Sequence, residues 1–152
     1  MKEKFSKRVQ SIIKQSKEEA IELGHSYVGS EHILLGLLKI NSGKGKKILD
    51  IFNININEMI NSINTRIKTS GGTLNLGHLP LTRRAERILR NSYNEASSRG
   101  DSISDDIHLL LAMLKEPEGI ASRVLKSFSL DYETVSELIF SDDGSFLVEE
   151  IA

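Results

Sequence analysis

Apolar residues recur at intervals of three and four along most of this chain, which places them on one face of an α-helix. The clearest stripe covers residues 5–23 and predicts a long amphipathic helix, with Ser6 as its N-cap and Gly24 as its stop. Residues 33–40 are apolar nearly all round, so this second helix, with Ser30 as its predicted N-cap, should be central and buried. The sequence shows no period-two pattern of any length and therefore predicts an all-α fold.

The chain contains the same segment twice. Residues 5–63 align without a gap on residues 81–139, so that Arg8 matches Arg84, and about 16 of roughly 59 aligned pairs are identical. A repeat of this length is a folding unit of several helices. Two further helices are predicted in repeat one, over 46–52 and from Asn55 or Asn57 to about residue 67. Four are predicted in repeat two: from Thr82 to about Arg99, over 107–115 with Asp105 or Asp106 as its N-cap, from Pro117, and from Asp131 to about Phe140. We therefore predict an all-α fold of eight helices in two pseudo-symmetric four-helix repeats.

The predicted boundaries follow from this duplication and from breaker residues. Residues 1–140 should form a single domain, with repeat one over 5–67 and repeat two over 81–140. The linker between the repeats is predicted over 68–80, which lacks helical periodicity, contains three glycines and ends in proline. Residues 141–152 are predicted to begin a flexible linker, because they open with a polar, glycine-containing stretch.

Composition excludes several classes of function. The net charge of −1 argues against nucleic acid as the main ligand, since phosphate-driven binding needs a concentrated basic face. No stretch approaches the length of apolar sequence that a membrane span requires, and residues 1–5 lack the apolar core of a secretion signal. The absence of cysteine removes thiolate metal sites and favours the cytoplasm.

The sequence offers no catalytic constellation and no metal site, so we do not expect the chain by itself to be an enzyme. His32 and His108 share one position of the repeat at the start of apolar helices. They are predicted to be structural histidines whose rings bond a nearby backbone group. His25 lies in a predicted loop without clustered partners.

Four strings of this sequence resemble one known family. Residues 23–38, Leu-Gly-His-Ser-Tyr-Val-Gly-Ser-Glu-His-Ile-Leu-Leu-Gly-Leu-Leu, closely resemble the signature of Clp N-terminal domains. The openings at 5–9 and 80–85 and the segment 118–125 resemble further motifs of that family, and the resemblance extends over roughly residues 3–140. Within the family it is greatest to the ClpC-type domains of AAA+ unfoldases.

The resemblance implies a substrate- and adaptor-docking domain of an ATP-dependent Clp unfoldase, which serves protein quality control and regulated proteolysis. Its partners would be substrate and adaptor proteins, and a ClpP-type protease through the full-length unfoldase. ATP and Mg²⁺ would bind only AAA+ modules that are absent from this chain, and the isolated domain would be monomeric. Two alternatives stay open: a free-standing accessory protein with this fold that competes for adaptors, and a small-molecule sensor.

ClpC-type domains bind phosphorylated arginine around the turn that corresponds here to Val28, Gly29, Ser30 and Glu31, so the resemblance implies that these residues bind it too. The chemistry of the turn is suitable, because a helix start offers N–H donors and a positive dipole end to phosphate. Glu31 can offer a carboxylate to a guanidinium. The other interpretation is that Ser30 and Glu31 simply make a good helix start.

Repeat two departs from the family pattern at the equivalent turn. Ile107 replaces the glutamate, and Asp105 and Asp106 crowd the helix start, where they should repel a phosphate. We therefore expect this second site to be degenerate for phosphoarginine.

Overall fold

The computed structural model describes residues 4–40, 42–67 and 79–140, and these residues form eight α-helices. Repeat one contains α1 (Lys7–Glu22), α2 (Ser30–Ile40), α3 (Lys44–Ile51) and α4 (Ile56–Arg66); repeat two contains α5 (Arg83–Ser98), α6 (Asp106–Lys115), α7 (Ile120–Ser127) and α8 (Tyr132–Phe140). The predicted all-α, eight-helix fold is thereby confirmed. None of these helices is long and apolar enough to cross a membrane. Most of the predicted linker and the whole tail 141–152 lie outside the described residues.

Side-chain caps explain why several helices begin where they do. The Ser6 hydroxyl accepts a hydrogen bond from the Val9 N–H at 3.1 Å, and the hydroxyl of Thr82, its equivalent, accepts one from the Ala85 N–H at 3.0 Å. Asn55 caps α4 in the same way. These side chains satisfy donors that a helix start otherwise leaves without a partner.

Two predicted helix starts are wrong. Helix α2 begins at Ser30 itself, because the Gly29 carbonyl already accepts hydrogen bonds from the N–H groups of His32 and Ile33, so Gly29 is the capping residue. Helix α7 begins at Ile120 rather than at Pro117. Its cap is Gly119, whose φ of 110° is a conformation that glycine adopts readily and other residues rarely do.

The core is centred on α2 and α6. Every residue of α2 from His32 to Leu38 is buried, and so is every residue of α6 from Asp106 to Leu114. Helix α1 packs mainly on α2, and α5 packs mainly on α6. The buried apolar residues of both repeats form one continuous cluster. The predicted burial of the two equivalent helices is therefore confirmed.

The repeats also exchange short backbone pairings. The segment that precedes α1 pairs with the turn before α6, where the Ser6 N–H donates to the Ser104 carbonyl at 2.9 Å. The segment that precedes α5 pairs with the turn before α2, where the Thr82 N–H donates to the Val28 carbonyl at 2.9 Å. The two pairings are pseudo-symmetric, since each joins the opening of one repeat to the same turn of the other. Each repeat therefore fixes the start of its partner's buried helix.

The contact between α1 and α2 yields a stability prediction at Gly36. A Cβ at this position would lie 2.6 Å from the Ile12 carbonyl oxygen and 2.6 Å from Ser16 Oγ. We expect Gly36→Ala to lower the free energy of unfolding in urea by about 1–3 kcal/mol through overpacking. If this contact were loosely packed, the substitution would instead raise the free energy of unfolding, because alanine is intrinsically better than glycine in a helix by about 1 kcal/mol. Stabilisation by the substitution would therefore contradict this packing.

Candidate functional site

The Val28 pairing places the start of α2 beside the start of α5, and a cleft of about 450 Å³ lies between them. Of the four residues predicted for this site, Gly29, Ser30 and Glu31 line the cleft. Val28 is fully buried and supplies the backbone pairing behind it. The other lining residues are Tyr27 and, from repeat two, Thr82, Arg83, Arg84 and Arg87.

The α2 side of the cleft combines a helix start with a carboxylate. The N–H groups of Ser30 and Glu31 belong to the first turn, where no preceding helical carbonyl can accept from them, and the helix dipole is positive there. The Gly29 N–H is engaged differently, since it donates to His32 Nδ1 at 2.8 Å. A Cβ at Gly29 would lie 2.5 Å from Glu31 Oε1, so glycine makes room for this carboxylate. The turn therefore combines the first N–H groups of α2 with a carboxylate.

The α5 side contributes three arginines that differ in how firmly they are held. Arg87 donates two hydrogen bonds to the buried Glu116 carboxylate, at 2.8 and 2.7 Å, and this pairing raises the Arg87 pKa. Arg84 makes only longer contacts, with 3.7 Å from its Nε to Glu116 and 3.7 Å from its NH2 to Glu118. Its Nε is buried and has no hydrogen-bond partner among the described residues. Arg84 is therefore held less firmly than Arg87 and could be recruited by a ligand more easily.

Sequence reasoning missed these arginines as site residues. It considered only the turn before α2, whereas the cleft is completed by a helix more than 50 positions further along the chain. The available signal was the run Arg83-Arg84 with Arg87 at the opening of repeat two. The cleft thus offers cationic and anionic groups side by side. Within the described ranges, no group of three His, Cys, Asp or Glu side chains could hold a metal ion.

The equivalent position in repeat two is filled by the chain's own side chains. Arg8, the counterpart of Arg84, donates from NH1 to both oxygens of Asp105 at 3.1 and 3.2 Å. The Ser6 hydroxyl donates to the same carboxylate at 2.9 Å. Burial alone would raise the pKa of Asp105, but the Asp106 N–H, Ser6 and Arg8 together lower it. Asp105 is therefore an internally paired carboxylate and also the cap of α6.

Asp106 is buried beside Asp105 and connects α6 to α3. Its Oδ2 accepts a hydrogen bond from the Gly45 N–H at 2.7 Å, whereas its Oδ1 has no hydrogen-bond partner among the described residues. Burial raises the pKa of Asp106 to about 6, and the neighbouring Asp105 adds to this effect. The equivalent residue of repeat one is Ser30, so repeat two has a buried acid where repeat one has a neutral side chain.

The histidines have structural partners. His32 Nδ1 accepts from the Gly29 N–H, and His108 Nδ1 accepts from the Asp105 N–H at 2.9 Å, which confirms the prediction for both residues. The prediction for His25 is wrong. Its ring is buried, and its Nδ1 lies 2.7 Å from His32 Nε2, because the turn before α2 folds back over the helix start. A histidine pair therefore supports the floor of the candidate site.

Fold and site together define a duplicated all-α domain with a ligand-sized cleft between its repeats. The sequence model of one protein family, the Clp repeat (R) N-terminal domain, matches residues 4–128 and 81–143, and the chain belongs to this family. It is 36% identical over 135 residues to the "ATP-dependent Clp protease ATP-binding subunit ClpA homolog" of Guillardia theta, covering 89% of this chain and 16% of that protein. It is 37% identical over 131 residues to "Chaperone protein ClpC1, chloroplastic" of Oryza sativa subsp. japonica, covering 86% of this chain and 14% of that protein.

Solved structures agree on the fold. The Hsp104 N-terminal domain from Candida albicans superposes with a TM-score of 0.75 at 16% identity, covering 93% of each chain. The N-terminal domain of ClpD from Arabidopsis thaliana superposes with a TM-score of 0.71 at 17% identity, covering 100% of each chain. The chain spans only 14–16% of the length of the curated relatives described above, and the matched region is their Clp N-terminal domain.

The first prediction from this site concerns acid. Burial, with a smaller contribution from His25, lowers the pKa of His32 to about 4. Because the unfolded value is near 6.5, neutral His32 contributes stability that is complete above that pH and is lost as the pH falls towards 4. The loss should be on the order of 3 kcal/mol. Urea unfolding of wild type and His32→Gln near neutral pH and near pH 4.5 measures it. Equal acid sensitivity of the two proteins would contradict the prediction.

The second prediction concerns Asp106, whose contribution to stability depends on pH in the opposite direction. Asp106 has a raised pKa in the folded state, so its protonated form contributes stability that is present below its unfolded pKa and is lost as the pH rises through about 6. Asp106→Asn keeps a neutral acceptor for the Gly45 N–H. The unfolding free energy of Asp106→Asn relative to wild type should therefore increase between about pH 4 and pH 7, by an amount on the order of 3 kcal/mol. The exposed Asp50→Asn substitution serves as the control and should show no such trend.

Proposed function

We propose that this chain is the domain through which an ATP-dependent Clp unfoldase receives substrate and adaptor proteins. Its family membership supports this proposal, and so do relatives named as a Clp protease ATP-binding subunit and as a chaperone. ATP hydrolysis and partnership with a ClpP-type protease would belong to the full-length protein. A cytoplasmic location stays a prediction from the cysteine-free composition, and the relatives include chloroplastic proteins.

We further propose that the cleft between α2 and α5 binds phosphorylated arginine. The observation that carries this proposal is that the cleft brings the Glu31 carboxylate together with Arg84, whose buried Nε lacks a hydrogen bond among the described residues. Phosphoarginine carries a guanidinium and a phosphoryl group on adjacent atoms. Glu31 would accept from the guanidinium, and the phosphoryl oxygens would accept from Arg84, Arg83 and the first N–H groups of α2.

The energetic basis is an exchange of weak contacts for strong ones. Arg84 contacts Glu116 and Glu118 only at 3.7 Å, and a charge-assisted hydrogen bond to phosphate would be considerably shorter. Arg87 would keep its two hydrogen bonds to Glu116. This pairing neutralises the buried acid that would otherwise repel the phosphate, so the cleft presents a net positive wall on the α5 side.

Repeat two should not provide a second site. Arg8 already occupies the Asp105 carboxylate, the buried Asp106 replaces Ser30, and Ile107 replaces Glu31. A phosphate entering there would meet two acids without a displaceable arginine. We therefore propose a stoichiometry of one phosphoarginine per chain, with Asp105 and Asp106 as the remnant of a degenerate site.

Calorimetric titration of free phosphoarginine tests this proposal. We expect binding near one equivalent that weakens at least tenfold in Glu31→Gln, because about 1.4 kcal/mol of a charge-assisted contact corresponds to a factor of ten. Glu137→Gln, an exposed substitution in α8 outside the cleft, should bind like wild type. Arginine and inorganic phosphate alone should each bind far more weakly than the combined ligand.

Three results would overturn the phosphoarginine proposal. These are no heat with the wild-type chain, unchanged affinity in Glu31→Gln, and two equivalents of ligand. The first result would leave protein docking as the proposed role, since that role rests on family membership and not on the cleft.

A further inference from the structure

The lining of the cleft between α2 and α5 includes an aromatic side chain, Tyr27. This residue is 39% exposed, whereas the two histidine rings against which it packs, His25 and His32, are buried. Tyr27 therefore combines a buried support with a surface that a ligand in the cleft can reach.

The Tyr27 ring is held in place by a series of contacts that begins at the backbone of the turn. The Gly29 N–H donates to His32 Nδ1 at 2.8 Å, so neutral His32 carries its proton on Nε2. This Nε2–H can donate to His25 Nδ1, which lies 2.7 Å away. The His25 ring is parallel to the Tyr27 ring with 5.5 Å between their centroids, and the His32 ring meets Tyr27 edge-on at 5.7 Å. The turn thus orients the aromatic ring in advance, which lowers the cost of binding a ligand against it.

Tyr27 is also close to the carboxylate that would receive the guanidinium. Tyr27 and Glu31 line the same cleft, and the pKa of Tyr27 is raised by burial and further by the negative charge of Glu31. The phenol is therefore neutral near pH 7, and the faces of its ring carry partial negative charge. A planar guanidinium can stack on such a face while its N–H groups donate in their own plane to a carboxylate, because the two contacts use different directions.

Repeat two replaces each part of this arrangement. Ile103 stands where repeat one has Tyr27, and Asp101 stands where repeat one has the stacked histidine. His108 Nε2 consequently lies 3.3 Å from the Asp101 carboxylate, and not against a second imidazole. The copy that has lost the glutamate has therefore also lost the aromatic ring and its histidine support. This joint loss is expected if ring and carboxylate serve the same ligand.

We propose that Tyr27 is a specificity-determining residue of the cleft, and that its ring stacks on the guanidinium of phosphoarginine while Glu31 accepts hydrogen bonds from the same group. This inference rests on the proposed phosphoarginine site and assigns the part of it that recognises the cation. A phosphorylated side chain without a guanidinium gains nothing from the negative face of a ring. Tyr27 and Glu31 would therefore distinguish phosphoarginine from other phosphorylated residues, whereas the arginines and the helix start would bind the phosphoryl group.

Calorimetric titration of phosphoarginine into three variants tests the contribution of the ring. Tyr27→Phe keeps the aromatic face and should bind within about twofold of the wild-type chain. Tyr27→Leu removes this face and should weaken binding roughly three- to thirtyfold, the range expected for a cation–π contact. Ile103→Leu changes the equivalent exposed position of repeat two and should leave the affinity unchanged.

Two further measurements separate a direct contact from a purely structural effect of the substitution. Inorganic phosphate, followed through the amide signals of Ser30 and Glu31, should bind Tyr27→Leu as it binds the wild-type chain, because the ring does not contact the phosphoryl group. The δ-methylene protons of bound phosphoarginine should move upfield with the wild-type chain and with Tyr27→Phe, since a ring current shields protons above the face of the ring. The upfield shift should be absent with Tyr27→Leu.

The outcomes distinguish this inference from the proposal on which it rests. Binding that is weakened by Glu31→Gln but unchanged by Tyr27→Leu would overturn the role of Tyr27 alone. An equal loss in Tyr27→Phe and Tyr27→Leu would also overturn it, since the hydroxyl and not the aromatic face would then be responsible. The same holds for a parallel loss of phosphate binding in Tyr27→Leu, and for an absence of the upfield shift with the wild-type chain. No binding of phosphoarginine by the wild-type chain would overturn both proposals.

Discussion

The reciprocal backbone pairing between the repeats is the constraint on which the rest of this structure depends. The opening of each repeat donates and accepts hydrogen bonds at the turn before the other repeat's buried helix, through Ser104 in one case and Val28 in the other. Buried backbone groups need such partners, so neither repeat can satisfy this turn alone. The pairing sets the starts of α2 and α6 against the starts of α5 and α1. Every candidate site of the molecule therefore lies at a boundary between repeats.

The shared core also makes the two repeats depend on each other. Helices α2 and α6 are buried over almost their whole length, and the apolar residues of both repeats form one cluster. A single four-helix repeat would expose much of this surface and would be marginal in stability by itself. Duplication supplies the missing half.

The sequence predicted the helices and their burial well, because periodicity and caps are local signals. It placed the N-cap of α2 one residue late, since a serine before an apolar run is an ordinary cap and nothing local shows that the Gly29 carbonyl is already used. It also missed Arg84 and Arg87, which reach the candidate site only through the pairing of distant segments. The His25–His32 contact was hidden for the same reason, because it depends on how the turn folds back.

The two copies of one arginine show how a duplicated frame acquires unequal sites. Arg8 and Arg84 occupy equivalent positions; Arg8 pairs with Asp105 of the other repeat, and Arg84 lines the cleft beside Ser30 and Glu31 of the other repeat. Arg8 meets Asp105, where repeat one has glycine, and donates hydrogen bonds to both oxygens of this carboxylate. Arg84 meets no such acid at the start of α2 and makes only long contacts within its own repeat. The acid that replaces Gly29 therefore engages Arg8 in the second copy, whereas the first copy keeps an arginine that a ligand can recruit.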